Sequence, residues 1–419
     1  MLRALSPSRM HADVAALVAF GTRHTLSETA SQVRGIGAAR AFLQAELAAA
    51  AAGSGRTGPE VPTVVQVRYP LAADGNRLTR DVDIVNVVAT LPGVSPTARS
   101  RRYLLVAHYD SRASDVNDAA SDAPGANDNA SGVAVLLEAF RAMAPHRFDA
   151  TLVFIATAGE EQGLFGARSA ARDERQDGGD VRGVLNNDIV GDPGGPRRGI
   201  VRVFSEALPA AATSEALSEI RKLAAESDSP SRQLARYIAE IAAWQQTRVR
   251  PELVFRADRF LRGGDHLAFN DAGYPAVRFS VPDEHFERQH QNVRSEGGVR
   301  YGDELSAIDD AYLAGVAELN VASLAHLACA PASPDDARIV VSLGADVELR
   351  WSAGRDADLA GYEVLWRETT SPVWQHARDV GLATEVRLAL NKDETLFAVR
   401  AYDRQGYRSV PAFVRAAAR

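Results

Sequence analysis

The residues of this 419-residue chain that could do chemistry fall into a few short stretches. His108 and Asp110 close the run Tyr103-Leu-Leu-Val-Ala-His-Tyr-Asp. Residues two apart on a strand share a face, so the imidazole would stand beside a carboxylate able to hold its second nitrogen. Asp128 lies in Gly125-Ala-Asn-Asp-Asn-Ala-Ser-Gly, where small residues let the backbone crowd close to an ion. Asp128 or Ser131 could instead cap the helix that follows. Glu160 and Glu161 follow an apolar run. Adjacent glutamates at the end of a buried strand repel each other and need a cation or a shared proton. One can ligate a metal while the other acts as base, although acidic residues also suit a helix N-terminus. Asp188 follows Gly183-Val-Leu-Asn-Asn; the nearby Asp192-Pro-Gly-Gly reads as plain turn chemistry.

The elements that must position these residues share one feature. Each candidate sits at, or just after, the carboxyl end of a run that reads as a strand. Residues 83–90, 103–107, 151–157, 183–187 and 274–280 are short apolar runs without alternation, the pattern of strands buried on both faces. Helical spacing covers 12–22, 38–52, 131–143, 163–172 and 306–327. It also covers 214–245, broken at Ser227-Asp-Ser-Pro, with Leu217, Ile220, Leu223, Ile238 and Ile241 inward. Strands alternating with helices give an α/β fold, a mostly parallel sheet flanked by helices. Such sheets bind ligands at the carboxyl ends of their strands. One histidine and three or four carboxylates converging there form a donor set that zinc accepts.

After Pro331-Ala-Ser-Pro-Asp-Asp the pattern changes. Val347, Leu349 and Trp351 alternate with polar residues, as do Tyr362, Val364 and Trp366, and Phe397, Val399 and Ala401. That is a small antiparallel sandwich. The expected division is a catalytic domain over 1–330 and a β-sandwich over 331–419.

Composition narrows the function. Apolar residues make up 46% and charged residues 24%, as in ordinary globular chains. A net charge of −7 argues against a nucleic-acid partner. The basic run Arg99-Ser-Arg-Arg reads as a solvated strand edge or loop. The single cysteine, Cys329, excludes an intrachain disulfide and a cysteine-rich metal site, so any metal is held by His, Asp and Glu. No apolar run reads as a membrane span and no leader-like segment opens the chain. The expectation is a soluble protein whose compartment is open, the periplasm or secretion being options if a leader has been removed.

The motifs Val106-Ala-His-Tyr-Asp, Gly125-Ala-Asn-Asp-Asn-Ala-Ser-Gly, Ala158-Gly-Glu-Glu-Gln-Gly-Leu-Phe-Gly, Asn187-Asp-Ile-Val-Gly and Gly264-Asp-His-Leu-Ala-Phe, in this order, resemble the bacterial leucyl aminopeptidase family of co-catalytic zinc metallopeptidases. The resemblance covers roughly residues 12–328. It implies two zinc ions and a peptide substrate. His108 and Asp188 would hold one ion, Glu161 and a late histidine the other, and Asp128 would bridge both. Glu160 would be the general base, Asp110 would support His108, and the Asp128–Asn129 peptide would be cis. The family's usual late His-Thr is absent. In Asp283-Glu-His-Phe-Glu-Arg-Gln-His-Gln-Asn-Val-Arg both His285 and His290 are candidates. His290 is preferred because His-Gln-Asn-Val-Arg resembles a variant in some members. His266 reads as a pocket or packing residue.

An aminopeptidase is the leading function. A carboxypeptidase or a glutaminyl cyclase on the same fold is the alternative; a carboxypeptidase would need a cation such as Arg262, Arg278 or Arg288. A non-catalytic binding protein ranks below these because the ligand candidates and Glu160 are all present. Leu349-Arg-Trp, Gly361-Tyr-Glu-Val and Phe397-Ala-Val-Arg-Ala-Tyr-Asp resemble a fibronectin type III domain, which would serve as a spacer or meet a surface or protein partner.

Overall fold

Apolar runs without a polar face must pair inside a sheet covered on both sides. The computed structural model, which describes residues 1–340 and 346–416, builds an eight-stranded sheet from them. Its strands are β1 (Thr63–Leu71), β2 (Val82–Leu91), β3 (Arg101–His108), β4 (Thr151–Thr157), β5 (Asp180–Asn187), β6 (Ile200–Ser205), β7 (Arg250–Val254) and β8 (Ala276–Ser280). The spatial order is β1-β2-β4-β3-β5-β8-β6-β7. The four central strands, β4, β3, β5 and β8, are parallel, whereas β2 and β6 join them antiparallel, so the sheet is mixed. From β3 the chain moves to β4 on one side and returns to β5 on the other. The strand order therefore reverses at β3, and a crevice opens at the carboxyl ends there.

The sequence reading left out β1, β6 and β7. β1 is a half-exposed edge strand whose burial does not produce a clean apolar run. β6 and β7 are short strands beyond the parallel core.

Alternate residues of the central strands face two helical layers. Tyr103, Leu105 and Ala107 pack under α1 (Pro7–Ala19), α2 (Gly35–Ala52), α3 (Ser131–Met143), α7 (Pro230–Gln245) and α9 (Asp310–Cys329). Leu104 and Val106 face α5 (Phe165–Gln176) and α8 (Asp265–Asp271). The short α4 (Glu160–Gly163) precedes α5. The segment 214–245 does break, into α6 (Ser214–Lys222) and α7. Ile238 and Ile241 are buried as expected, but α6 buries nothing fully, and Leu217, Ile220 and Leu223 are only half-covered. α9 is long and apolar enough to cross a membrane by composition, against the sequence expectation. Its residues are instead largely buried against α1, α3 and α7, as in a core helix.

Residues from Arg338 onward form two four-stranded sheets around a separate apolar cluster. Val347, Leu349, Trp351, Tyr362, Val364, Phe397, Val399 and Ala401 all belong to it, so the alternation seen in the sequence is the inward face. Charged residues fasten this sandwich to the large sheet. In the run Arg99-Ser-Arg-Arg the first two residues are exposed as expected, but Arg101 is not. Arg101, at the start of β3, is buried and meets Asp356 at 3.0 Å, while Asp356 also accepts the Ala332 N–H of the linker. Asp228, before α7, accepts Arg236 at 2.8 Å and Arg367 of the sandwich at 2.7 Å, all three side chains being buried. Removing one partner of a buried ion pair leaves an uncompensated charge. Asp228→Ala strands two guanidinium groups and is expected to lower stability by about 3–5 kcal/mol, measured by urea unfolding. A loss under about 1 kcal/mol would mean solvent reaches this junction.

Candidate metal centre

β3 ends at His108, and the chain turns at once into the crevice. The His108 Nδ1 lies 3.2 Å from the Asp110 carbonyl oxygen and 3.6 Å from its Oδ1. Asp110 does more than stand beside His108. Its carboxylate accepts the backbone N–H of Glu160 (3.3 Å) and Glu161 (3.1 Å) and the Thr25 hydroxyl (3.2 Å). It thus caps the first turn of α4 and sets where both glutamates point.

The loop carrying Asp128 is held from both sides. Gly125 adopts φ +50, and a Cβ there would meet the Asp128 carbonyl at 2.5 Å and Ser111 at 2.6 Å. Gly132 presses α3 against β5, with 2.2 Å to the Asn187 oxygen for an added Cβ. At Gly125 and Gly132 the missing side chain makes room for neighbouring protein. Neither Asp128 nor Ser131 caps α3. Asn129 does so, its Oδ1 accepting Gly132 N–H (3.1 Å) and Ile189 N–H (3.2 Å). Ser131 donates to the Asn127 carbonyl at 2.6 Å. The Asp128 carboxylate faces the crevice, where its Oδ2 also accepts the Gln289 side-chain amide at 3.2 Å, and the Asp128–Asn129 peptide is cis.

Two groups of donors meet there. His108, Glu160 and Asp188 each present one atom within 4.8 Å of the others, and so do Asp128, Glu161 and His290. Asp128 joins them: its Oδ1 lies 3.3 Å from His108 Nε2 and its Oδ2 3.0 Å from His290 Nε2. His290 Nε2 is also 3.1 Å from Glu161 Oε2, and His108 Nε2 is 3.8 Å from Asp188 Oδ1. Donors placed tetrahedrally around zinc stand roughly 3.3–3.6 Å apart, and these separations of 3.0–3.8 Å bracket that spacing. His108 Nε2 and Glu161 Oε1 are buried without a hydrogen-bond partner. A nitrogen-and-oxygen donor set with orphaned buried atoms fits a metal centre.

The electrostatics agree. Burial alone would push His290 down, but Glu161 and Asp128 raise it to about 10. His108 is likewise raised despite burial, first by Glu160 and then by Asp110, Asp128 and Asp188. Asp128 and Asp188 are driven below the usual carboxylate range against burial, Asp128 by the two imidazoles and Asp188 by Arg278 and His108. Glu160 goes the other way. Burial, reinforced by Asp188, Glu161 and Asp265, holds it well above that range, only partly opposed by His108.

The remaining candidates lie apart. His285 pairs with Glu287 at 3.0 Å and joins neither group. His266 is buried against the Ala257 carbonyl (2.8 Å). Asp192 forms the expected turn with Gly194 and also binds Arg288. All three arginines considered for a substrate carboxylate are already engaged: Arg262 with Glu284 at 2.9 Å, Arg278 with Asp188 and Asp258, and Arg288 with Asp192.

Sequence reasoning passed over two supporting residues. Asp303 accepts the N–H groups of Asn127 (2.8 Å) and Asp128 (2.7 Å), and burial raises it to about 7. Arg23, fully buried, donates to the carbonyls of Tyr109 (2.8 Å), Pro124 (2.6 Å) and Gly125 (2.9 Å). Nothing in the sequence near either residue marks it, because both act across more than 80 residues of chain.

Comparison with known proteins fits this architecture. The LapA aminopeptidase of Legionella pneumophila superposes with a TM-score of 0.54 at 16% identity, covering 77% of this chain and 72% of its own. A glutaminyl cyclase from Fimbriiglobus ruber gives 0.52 at 19% identity, covering 76% and 94%. The fold is that of the zinc exopeptidases. The model of peptidase family M28 matches residues 86–314. A probable zinc metalloprotease from the fungus Leptosphaeria maculans is 42% identical over 406 residues, 96% of this chain and 92% of its own. The chain belongs to peptidase family M28. Its motifs resemble bacterial enzymes, yet this relative is fungal.

The two late histidines can be separated by experiment. His290→Ala is expected to weaken zinc binding by more than the roughly 10–100-fold typical of losing a residue behind a ligand. His285→Ala should leave zinc affinity within about threefold. Zinc titration against a competing chelator reads both, and the reverse order would move the ligand to His285.

Proposed function

We propose that this protein is a two-zinc exopeptidase, an aminopeptidase that releases N-terminal residues from peptides. The observation that carries the reading is the Asp128 carboxylate, whose two oxygens face two different histidines in two neighbouring donor groups. A bridging carboxylate has that shape. His108 and Asp188 would hold one ion, Glu161 and His290 the other. Bound there, zinc supplies Lewis acidity, polarising the scissile carbonyl and acidifying a water.

The protein's own groups account for the rest. Burial and neighbouring charge raise Glu160 above the usual carboxylate range. As a carboxylate it would take a proton from the attacking water and return it to the leaving amine. Asp110 fixes Glu160 and Glu161 through their backbone amides. The cavity above the site, about 560 Å³, admits a peptide end. Residues 1–330 would form the catalytic unit, since every proposed ligand and the M28 match lie within them. Residues 331–419 would form a fibronectin type III-like unit that buttresses α7 and the start of β3.

A second reading of Glu160 has support in the geometry, because its carboxylate stands with His108 and Asp188 in one donor group. Glu160→Gln separates the two. As a base, its loss keeps both zinc ions and substrate affinity while turnover falls by roughly 10²–10⁴-fold. Glu161→Gln should lower zinc content, with activity partly restored by added zinc. Zinc loss from Glu160→Gln with two ions retained in Glu161→Gln would exchange the roles. The aminopeptidase assignment is read with the zinc-loaded enzyme on free, N-acetylated and C-amidated peptides. Acetylation should abolish cleavage and amidation should not; the opposite pattern makes it a carboxypeptidase.

A further inference from the structure

The cavity over the donor groups has a basic mouth, although the whole chain is acidic. Arg77, Arg112, Arg259 and Arg262 all line it. They differ in what they already hold. Arg259 and Arg262 share Glu284 with Arg202, at 3.1, 2.9 and 2.7 Å, so three guanidinium groups meet at one carboxylate. Arg259 has a second carboxylate in Asp258.

Arg77 and Arg112, which line the same cavity, have no carboxylate partner among the described residues. Arg77, from the loop between β1 and β2, donates only to the Glu161 carbonyl at 3.3 Å. Arg112 follows β3 and donates to the carbonyls of Ala113 and Ser114, each at 3.3 Å. These bonds are long, and each guanidinium carries five donors in a planar fork suited to a carboxylate. Both side chains are half-buried rather than spread into solvent. The Arg112 loop is also held in place. Ser114 N–H donates to Asn292 Oδ1 and Asn292 N–H to Ser114 Oγ, both at 2.9 Å, tying it to the loop that carries His290. With divalent cations bound, the carboxylates on the cavity floor would be matched by them and would leave these arginines available.

We infer that Arg77 and Arg112 form an anion subsite that favours peptides bearing a carboxylate beside the scissile bond. The inference rests on the peptidase reading above and names its substrate class. The carboxylate is either the α-carboxylate of a short peptide or an Asp or Glu side chain, and the same guanidinium pair would hold both.

Two matched pairs of peptides separate these sources. Leu-Glu-amide against Leu-Gln-amide isolates the side chain; Leu-Gly against Leu-Gly-amide isolates the terminus. The zinc-loaded wild-type protein is expected to prefer the charged member of at least one pair by roughly tenfold in kcat/KM, the scale of a charge-assisted hydrogen bond. Arg77→Gln and Arg112→Gln should each bring that ratio towards one. The ratio is taken within each variant, so a general loss of activity cancels. A wild-type ratio near one in both pairs, or a ratio unchanged in both variants, overturns the subsite. Calorimetric binding of the same peptides to zinc-loaded Glu160→Gln protein, with and without the arginine substitutions, tests the subsite without turnover. Carboxylate-dependent binding that the arginine substitutions abolish, in a protein that cleaves no peptide, would keep the subsite and reject the peptidase reading. Binding indifferent to the carboxylate would reject the subsite even in an active peptidase.

Discussion

Asp128, Glu160, Glu161 and Asp188 crowd into one crevice, and most of their surface is withheld from water. Burying a single carboxylate costs several kcal/mol unless it is compensated, and burying several together adds their mutual repulsion. Protein groups supply only part of the compensation. Arg278 meets Asp188 at 2.9 Å, and the two histidines are held as acceptors of charge between the acids. The donor groups left between the acids are of the kind that could hold metal cations. The shape of the surrounding fold follows from having to hold these groups against one another.

That holding is done mainly by backbone. His108 ends a strand whose pairing on both sides fixes its position, β4 on one side and β5 on the other. The glutamates are fixed through their amides by Asp110, and Asp128 through its own amide by Asp303. Arg23 gathers three carbonyls of the Tyr109–Gly125 region, so the loop between β3 and α3 is stapled to the N-terminal segment. Such buried polar contacts are strong because the local dielectric is low and every partner is satisfied. The cluster of acids is positioned by groups that lie outside the two donor groups.

The sandwich joins this scheme at two points. Arg101 begins the strand that His108 ends, and its guanidinium is buried against Asp356 of the sandwich. Arg236 and Tyr237 of α7 reach the same body through Asp228 and the Arg408 carbonyl. Much of the contact is ionic and buried, and Val410 and the Tyr407 ring add apolar contact with the main core and His326. It gives the small domain a fixed seat behind the sheet, on elements that run directly to the crevice.

Much of the site was legible in the chain because strand ends are local events. A continuous apolar run predicts a central strand, and the next polar residue then falls at the carboxyl edge, which placed His108, Glu160, Glu161 and Asp188 without any long-range information. Asp128 was legible from its motif, but not the reason for its glycines, since only packing shows that Gly132 lies against Asn187. The edge strands β1, β6 and β7 escaped because half-exposed or short strands carry no distinct hydrophobic pattern. The sequence by itself determined the donor types, their order and the parallel core. Tertiary structure decided that His290 rather than His285 reaches the donor groups, and that Arg262, Arg278 and Arg288 meet carboxylates while Arg77 and Arg112 meet none among the described residues. It also decided that Asn129 caps α3 and that Asp303 holds Asp128. Each of these depends on where a long loop returns to the sheet, a distance in space that spacing along the chain does not encode.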